Sequence, residues 1–169
     1  MAALAAYYAP ISKRSIRPEH FRAVITHIAH SGHPDAARIA EYLELLAATG
    51  VPPRQIEQMT LEHMSCGNSR ILVPHERSAR TRTQIIAADA AQIVSRIALG
   101  AKNRGTGIFD RVFPEMIHKA ANGAIAAACA ALGIERFTCS TVRRFHADSE
   151  QERLSSRQNG IQQPFPAPE

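Results

Sequence analysis

The residues of this sequence whose types and spacing could do chemistry are arginines. Arg77, Arg80 and Arg82 share the short stretch HERSARTR, Arg143 and Arg144 are adjacent in STVRRF, and Arg54 follows two prolines in VPPRQ. A guanidinium is planar and permanently charged, and its fork matches a phosphate or a guanine edge in a bidentate contact. Lys and Arg number 20 against 15 Asp and Glu, a formal charge of +5. That balance favours a polyanionic partner, and double-stranded DNA is the first to expect.

Other reactive side chains form no comparable set. Cys66, Cys129 and Cys139 are odd in number and lack CxxC spacing, which predicts buried thiols rather than a disulfide framework or a zinc ribbon. His27 and His30 can share a helical face, but His33 falls in SGHP beyond the helix end, and no carboxylate or cysteine completes a ligand set. Solvated histidines are expected there, with no metal and no cofactor. The sequence has no glycine-rich phosphate loop, no GxSxG and no suitably spaced carboxylate pair, so it gives no support to hydrolase or kinase chemistry.

The elements that position these arginines fit one domain, since 169 residues and 18.5 kDa, 45% hydrophobic and 21% charged, are ordinary values for a folded chain. No apolar run approaches the roughly 20 residues of a bilayer crossing, and the basic residues of MAALAAYYAPISKR follow the apolar ones, the reverse of a secretory signal. A cytoplasmic protein without membrane contact is expected. Residues 1–15 are expected to be a loose leader, 16–154 the domain and 155–169, ending QQPFPAPE, a flexible tail.

Pro18 opens a predicted helix burying Phe21, Val24, Ile25 and Ile28, closed by Ser31 and Gly32. A second predicted helix begins at Pro34, buries Ile39, Ala40, Leu43, Leu46 and Ala47, and stops at Gly50. A short one starts near Pro53 and carries Ile56 and Met59 inward. Arg70–Pro74 and Thr81–Ile86 read as two strands joined by the basic tip, so alternation places Arg80 and Arg82 on one face. Helical spacing returns with Ile93, Val94 and Ile97, Gly100 to Gly107 reads as a loop, and Pro114 opens an alanine-rich helix to about Leu132. A last helix is predicted from Ser140 to Asp148. The fold class is therefore mainly α with one small antiparallel β-hairpin.

The ordered set ATGVPPRQIEQMTLEHM, a strand pair with a basic tip, and ALGIERFTCSTVRRFHAD resembles the catalytic domain of the tyrosine recombinase (phage integrase) family, from about Arg17 to Phe145. The resemblance implies a helical DNA-breaking scaffold, and its site positions carry over one at a time. Where the family places its first catalytic arginine, after Thr49-Gly50-Val51, this chain has Pro52, with Arg54 two residues on. The hairpin lysine aligns with Arg77, a poor proton donor. The His-x-x-Arg motif reads Ser140-Thr-Val-Arg143, so the arginine is kept and the histidine is not. The family's nucleophile is a tyrosine well beyond that arginine, whereas every tyrosine here lies at or before Tyr42. For Tyr7 and Tyr8, in AAYYAP, an apolar anchor is expected.

The resemblance thus implies a DNA-binding relative that does not cleave, with vestigial catalytic positions Pro52, Arg77, Ser140 and Arg143. Its DNA contacts fall to Arg54, Arg77, Arg80, Arg82, Arg143 and Arg144. It acts in recombination or integration, or as a regulator on a mobile element. Two alternatives stand beside it. The segment ACAALGI followed by STVRRF resembles a helix-turn-helix repressor, which would place the contacts on Thr141, Arg143 and Arg144, although the connection is longer than the usual turn. The other is a protein-interaction module that pairs with itself or with an active recombinase.

Overall fold

The computed structural model describes residues 16–144 except Cys66, Asn68, Arg77 and Ala79. Pro18 supplies the first turn of α1 (Pro18–Ala29), which buries Phe21, Val24 and Ile28 and leaves Ile25 half-buried. Helix α2 (Ala36–Thr49) starts two residues later than the sequence predicts, because Pro34 and Asp35 are spent in a turn. It buries Tyr42 and Leu45 as well as Ile39, Ala40, Leu43 and Leu46. A helix buried this widely is central rather than peripheral, and α2 packs on α1, on α5 (Ala88–Asn103) and on α6 (Ile117–Leu132).

Two short helices follow the end of α2. Pro53 opens α3 (Pro53–Glu57), with Ile56 and then Met59 buried as expected. Helix α4 (Leu61–Met64) was not anticipated as a separate element. Its start is a capping box in which the His63 ring, at Nδ1, accepts the Thr60 N–H at 2.9 Å, with histidine standing where Glu or Gln is usual.

Strands β1 (Arg70–Pro74) and β2 (Thr81–Ile85) form the antiparallel two-stranded sheet, with Ile71 opposite Gln84 and Val73 opposite Arg82. The register buries Ile71 and Val73 completely, and β1 rests on α3 and α4. Gly100 to Asn103 are the last turn of α5, not a loop as the sequence suggests. A Cβ at Gly100 would lie 3.3 Å from Arg104 Nη1 and 3.5 Å from Glu41 Oε1, so the absent side chain leaves room for the ion pair that closes this helix end.

The α5–α6 connection is pinned to α3 and α4 by backbone hydrogen bonds from Leu61 to Asp110, Glu62 to Ile108 and Val112 to Met59. Helix α6 begins at Ile117 and not at Pro114, because Met116 takes a positive φ of 62° and turns the chain first. Residues 139–144 form a final helix, α7, whose predicted continuation to Asp148 lies outside the described residues. Tyr42 meets Phe113 edge-on at 5.6 Å between centroids, and Phe21 meets Phe137 at 6.4 Å. No helix among the described residues is long and apolar enough to cross a membrane.

His63→Ala should lower stability by about 1 kcal/mol by leaving the Thr60 N–H without its acceptor, and His63→Gln should recover much of it. Thermal unfolding of the two variants checks this; equal losses would show that the acceptor is not what matters.

Candidate nucleic-acid interface

The site is built on the end of α2. Gly50 takes φ 62°, the left-handed conformation that turns the chain out of the helix, while its N–H donates to Leu46 O at 3.0 Å. Thr49 folds its hydroxyl back onto Leu45 O at 2.7 Å. Two further donors arrive from distant parts of the chain. Gln84, on β2, donates its Nε2 to Thr49 O at 2.6 Å, and Arg143, on α7, donates its Nε to Gly50 O at 3.0 Å. A helix C-terminus carries partial negative charge on its unpaired carbonyls, so an arginine is electrostatically suited to this place.

Of the residues singled out in the sequence, Arg143 and the Thr49-Gly50-Val51-Pro52 segment are thus brought together. Ser140 precedes Arg143 by three residues on α7, on the same helical face, and is exposed. Pro52 is half-buried and caps α3, and Arg54 is exposed in the first turn of that helix. Arg82 is exposed on β2. Arg80, also exposed, lies one residue before that strand and accepts the His75 N–H at its carbonyl, 2.9 Å away. Arg144 is exposed and leaves α7 about 100° from Arg143. Arg77, Tyr7, Tyr8 and Cys66 lie outside the described residues.

The arginines fall into two electrostatic groups. On α5, Arg96 pairs with Glu44 and the capping Arg104 pairs with Glu41 at 3.1 Å, both glutamates being on α2. Arg54, Arg80, Arg82, Arg143 and Arg144 have no carboxylate partner among the described residues. The nominated arginines on the hairpin, on α3 and on α7 therefore keep their charge, as do Arg17, Arg22, Arg70 and Arg111 among the described residues.

Half-buried polar contacts tie α6 to α7 and to α3. Asn122 Oδ1 accepts the Cys139 N–H at 3.0 Å at the start of α7. One turn earlier on α6, the His118 ring and backbone N–H both meet Glu57 Oε1, at 2.6 and 3.1 Å. Gln84 and Asn122 were missed by sequence reasoning. Gln84 has strand parity with Arg80 and Arg82, and Asn122 interrupts a run of alanines; these were the available signals.

The cysteines Cys129 and Cys139 are buried, as expected, and burial pushes the Cys139 thiol up to about 12. Tyr42 is fully buried, and burial first, with Cys139 and Glu57 adding to it, drives its phenol far above the usual range. Its hydroxyl has no hydrogen-bond partner in good geometry. Neither group is available as a nucleophile. Thr141, which a helix-turn-helix would present to the groove, is 2% exposed and lies 3.3 Å from the Thr138 hydroxyl.

This arrangement of helices around a two-stranded antiparallel sheet is the fold of a tyrosine recombinase catalytic domain. The chain is similar to the crystal structure of the XerH site-specific recombinase bound to its difH substrate in a pre-cleavage complex, with a TM-score of 0.62 and 13% sequence identity. The match covers 87% of this chain and 44% of that one, so the chain spans less than half the length of the recombinase. No protein-family model matches the sequence, and no curated protein matches it.

Tyr42→Phe should change stability by less than about 1 kcal/mol at pH 7, because the lost hydroxyl has no good partner to forfeit. Above about pH 9 the unfolded chain releases the Cys139 and Tyr42 protons that the folded protein retains, so stability falls as pH rises. The variant should flatten this alkaline decline; urea midpoints at pH 7 and pH 10 that move in parallel with the unaltered protein would refute it.

Proposed function

We propose that this chain is a DNA-binding protein on a tyrosine-recombinase catalytic scaffold, engaging phosphates through the arginines around the end of α2 without cleaving the strand. The observation that carries this reading is the tether from Arg143 Nε to Gly50 O. It uses one of the five N–H groups of a guanidinium and fixes the orientation of the rest. A pre-oriented fork loses less freedom on meeting a phosphate than a free side chain does. Arg54, Arg80 and Arg82 extend the same positive region, and the fold shared with a recombinase held on its difH substrate supports DNA as the ligand.

Inability to cleave is inferred from the residues at the vestigial positions. Transfer through a pentavalent phosphorus needs cations around the developing charge and an accessible nucleophile. Pro52 and Ser140 supply no charge, and Tyr42 is sealed in the core. Binding without cleavage suits an accessory role in recombination or integration, or a regulator on a mobile element, in the cytoplasm. A second copy or an active recombinase is a natural further partner. The buried Thr141 favours this reading over a helix-turn-helix repressor, whose contacts would fall on Thr141 as well as on Arg143 and Arg144.

Anisotropy titrations of a labelled duplex at two salt concentrations test the proposal. Arg143→Ala and Arg80→Ala should each weaken binding on all sequences and lower the salt slope by about 0.9, the value of one phosphate contact. Arg96→Ala, whose partner is already Glu44, should leave both nearly unchanged. A protein–DNA adduct surviving denaturing electrophoresis would overturn the non-cleaving reading. No binding by the unaltered protein even at low salt would overturn DNA as ligand and shift the weight to a protein partner.

A further inference from the structure

We infer that Gln84 is a positioning residue, holding the hairpin arginine Arg82 at the corner where Arg143 sits; this rests on the DNA-binding reading above. In an antiparallel pair, directly opposed residues project from the same face. Gln84 opposes Ile71 and Arg82 opposes Val73, and both β1 partners are fully buried. Arg82 and Gln84 therefore leave β2 on the core side of the sheet, at its edge, while Thr81, Thr83 and Ile85 face outward, with Ile85 78% exposed.

From that face Gln84 reaches Thr49 O at 2.6 Å, and the next carbonyl in the chain, Gly50 O, receives Arg143 at 3.0 Å. Two elements separated from the cap by 35 and 93 residues are thus fixed on neighbouring peptide units, whose Cα atoms lie about 3.8 Å apart. A two-stranded hairpin is marginally stable on its own, and β2 has only β1 beside it in the sheet. The Gln84 strap sets where the basic face of the hairpin points relative to Arg143. Gln84 carries no charge, so any effect of its loss on the salt dependence of binding must pass through an arginine it positions.

The test is Gln84→Met, which keeps the length and removes the donor without adding charge. With the full chain and a labelled duplex, affinity should fall about tenfold, the size of one charge-assisted contact, and the salt slope should fall by about 0.9. Adding Gln84→Met to Arg82→Ala should cost little further, whereas its loss should multiply with that of Arg54→Ala. Hydrogen exchange should quicken in peptides covering residues 70–85 and stay unchanged in α1, α2, α5 and α6. Unchanged affinity or slope in Gln84→Met, losses that multiply with Arg82→Ala, or faster exchange throughout the helices would each overturn the positioning role. The unaltered protein is titrated first: its failure to bind would remove the DNA reading itself, and this inference with it.

Discussion

A helix that ends inside a protein leaves carbonyl groups facing inward without partners, and their satisfaction constrains whatever is packed there. At the end of α2 the left-handed turn at Gly50 directs the chain toward α3, and the carbonyls of Leu45, Leu46, Thr49 and Gly50 each receive a donor. Two of those donors are local. The other two come from the hairpin and from α7, so the same hydrogen bonds that complete the helix also bring together the basic elements of the site.

The surrounding packing explains why the corner stays where it is. Helix α2 has α1, α5 and α6 around it, with Tyr42 wedged against Phe113. Helix α6 in turn holds α3 through Glu57 and His118 and holds α7 through Asn122 and Cys139. The short helices on either side of the corner are therefore tied to one rigid neighbour as well as to the cap. A movement of the α7 backbone away from Gly50 would also have to break the bond from the Cys139 N–H to Asn122.

Much of this was legible in the sequence, for identifiable reasons. Apolar spacing located α1, α2 and β1 because each turns apolar residues to the core, whereas β2, which buries none of its residues, was legible as the partner strand across the basic tip, and the Thr49-Gly50 stop was readable because helix ends favour glycine. Boundaries set by tertiary contacts were not. Met116 adopts a conformation that nothing in its type suggests, delaying α6, and Gly100 looks like a loop residue until the Glu41–Arg104 pair occupies the space beside it. Helix α4 was hidden because its capping acceptor is a histidine. Arg143 could be nominated from its place in the order of elements, whereas Gln84 and Asn122 are uncharged and become informative only when the carbonyl and amide they meet are known.

The contrast between the two groups of arginines shows what kind of surface the chain has made. Arg96 and Arg104 are held by carboxylates, which position a guanidinium and cancel its charge at once. Arg143 is held by a backbone carbonyl, which contributes only a partial negative charge. A carbonyl tether orients the cation and leaves most of its field intact, and the Gln84 strap adds no charge while tying down the hairpin that carries Arg82. Where α2 faces α5 it presents Glu41 and Glu44 and neutralises its neighbour; where it ends it presents carbonyls and leaves its neighbours positive. One helix thus neutralises Arg96 and Arg104 along its flank with carboxylates and orients Arg143 at its end with a carbonyl, which leaves that guanidinium its charge.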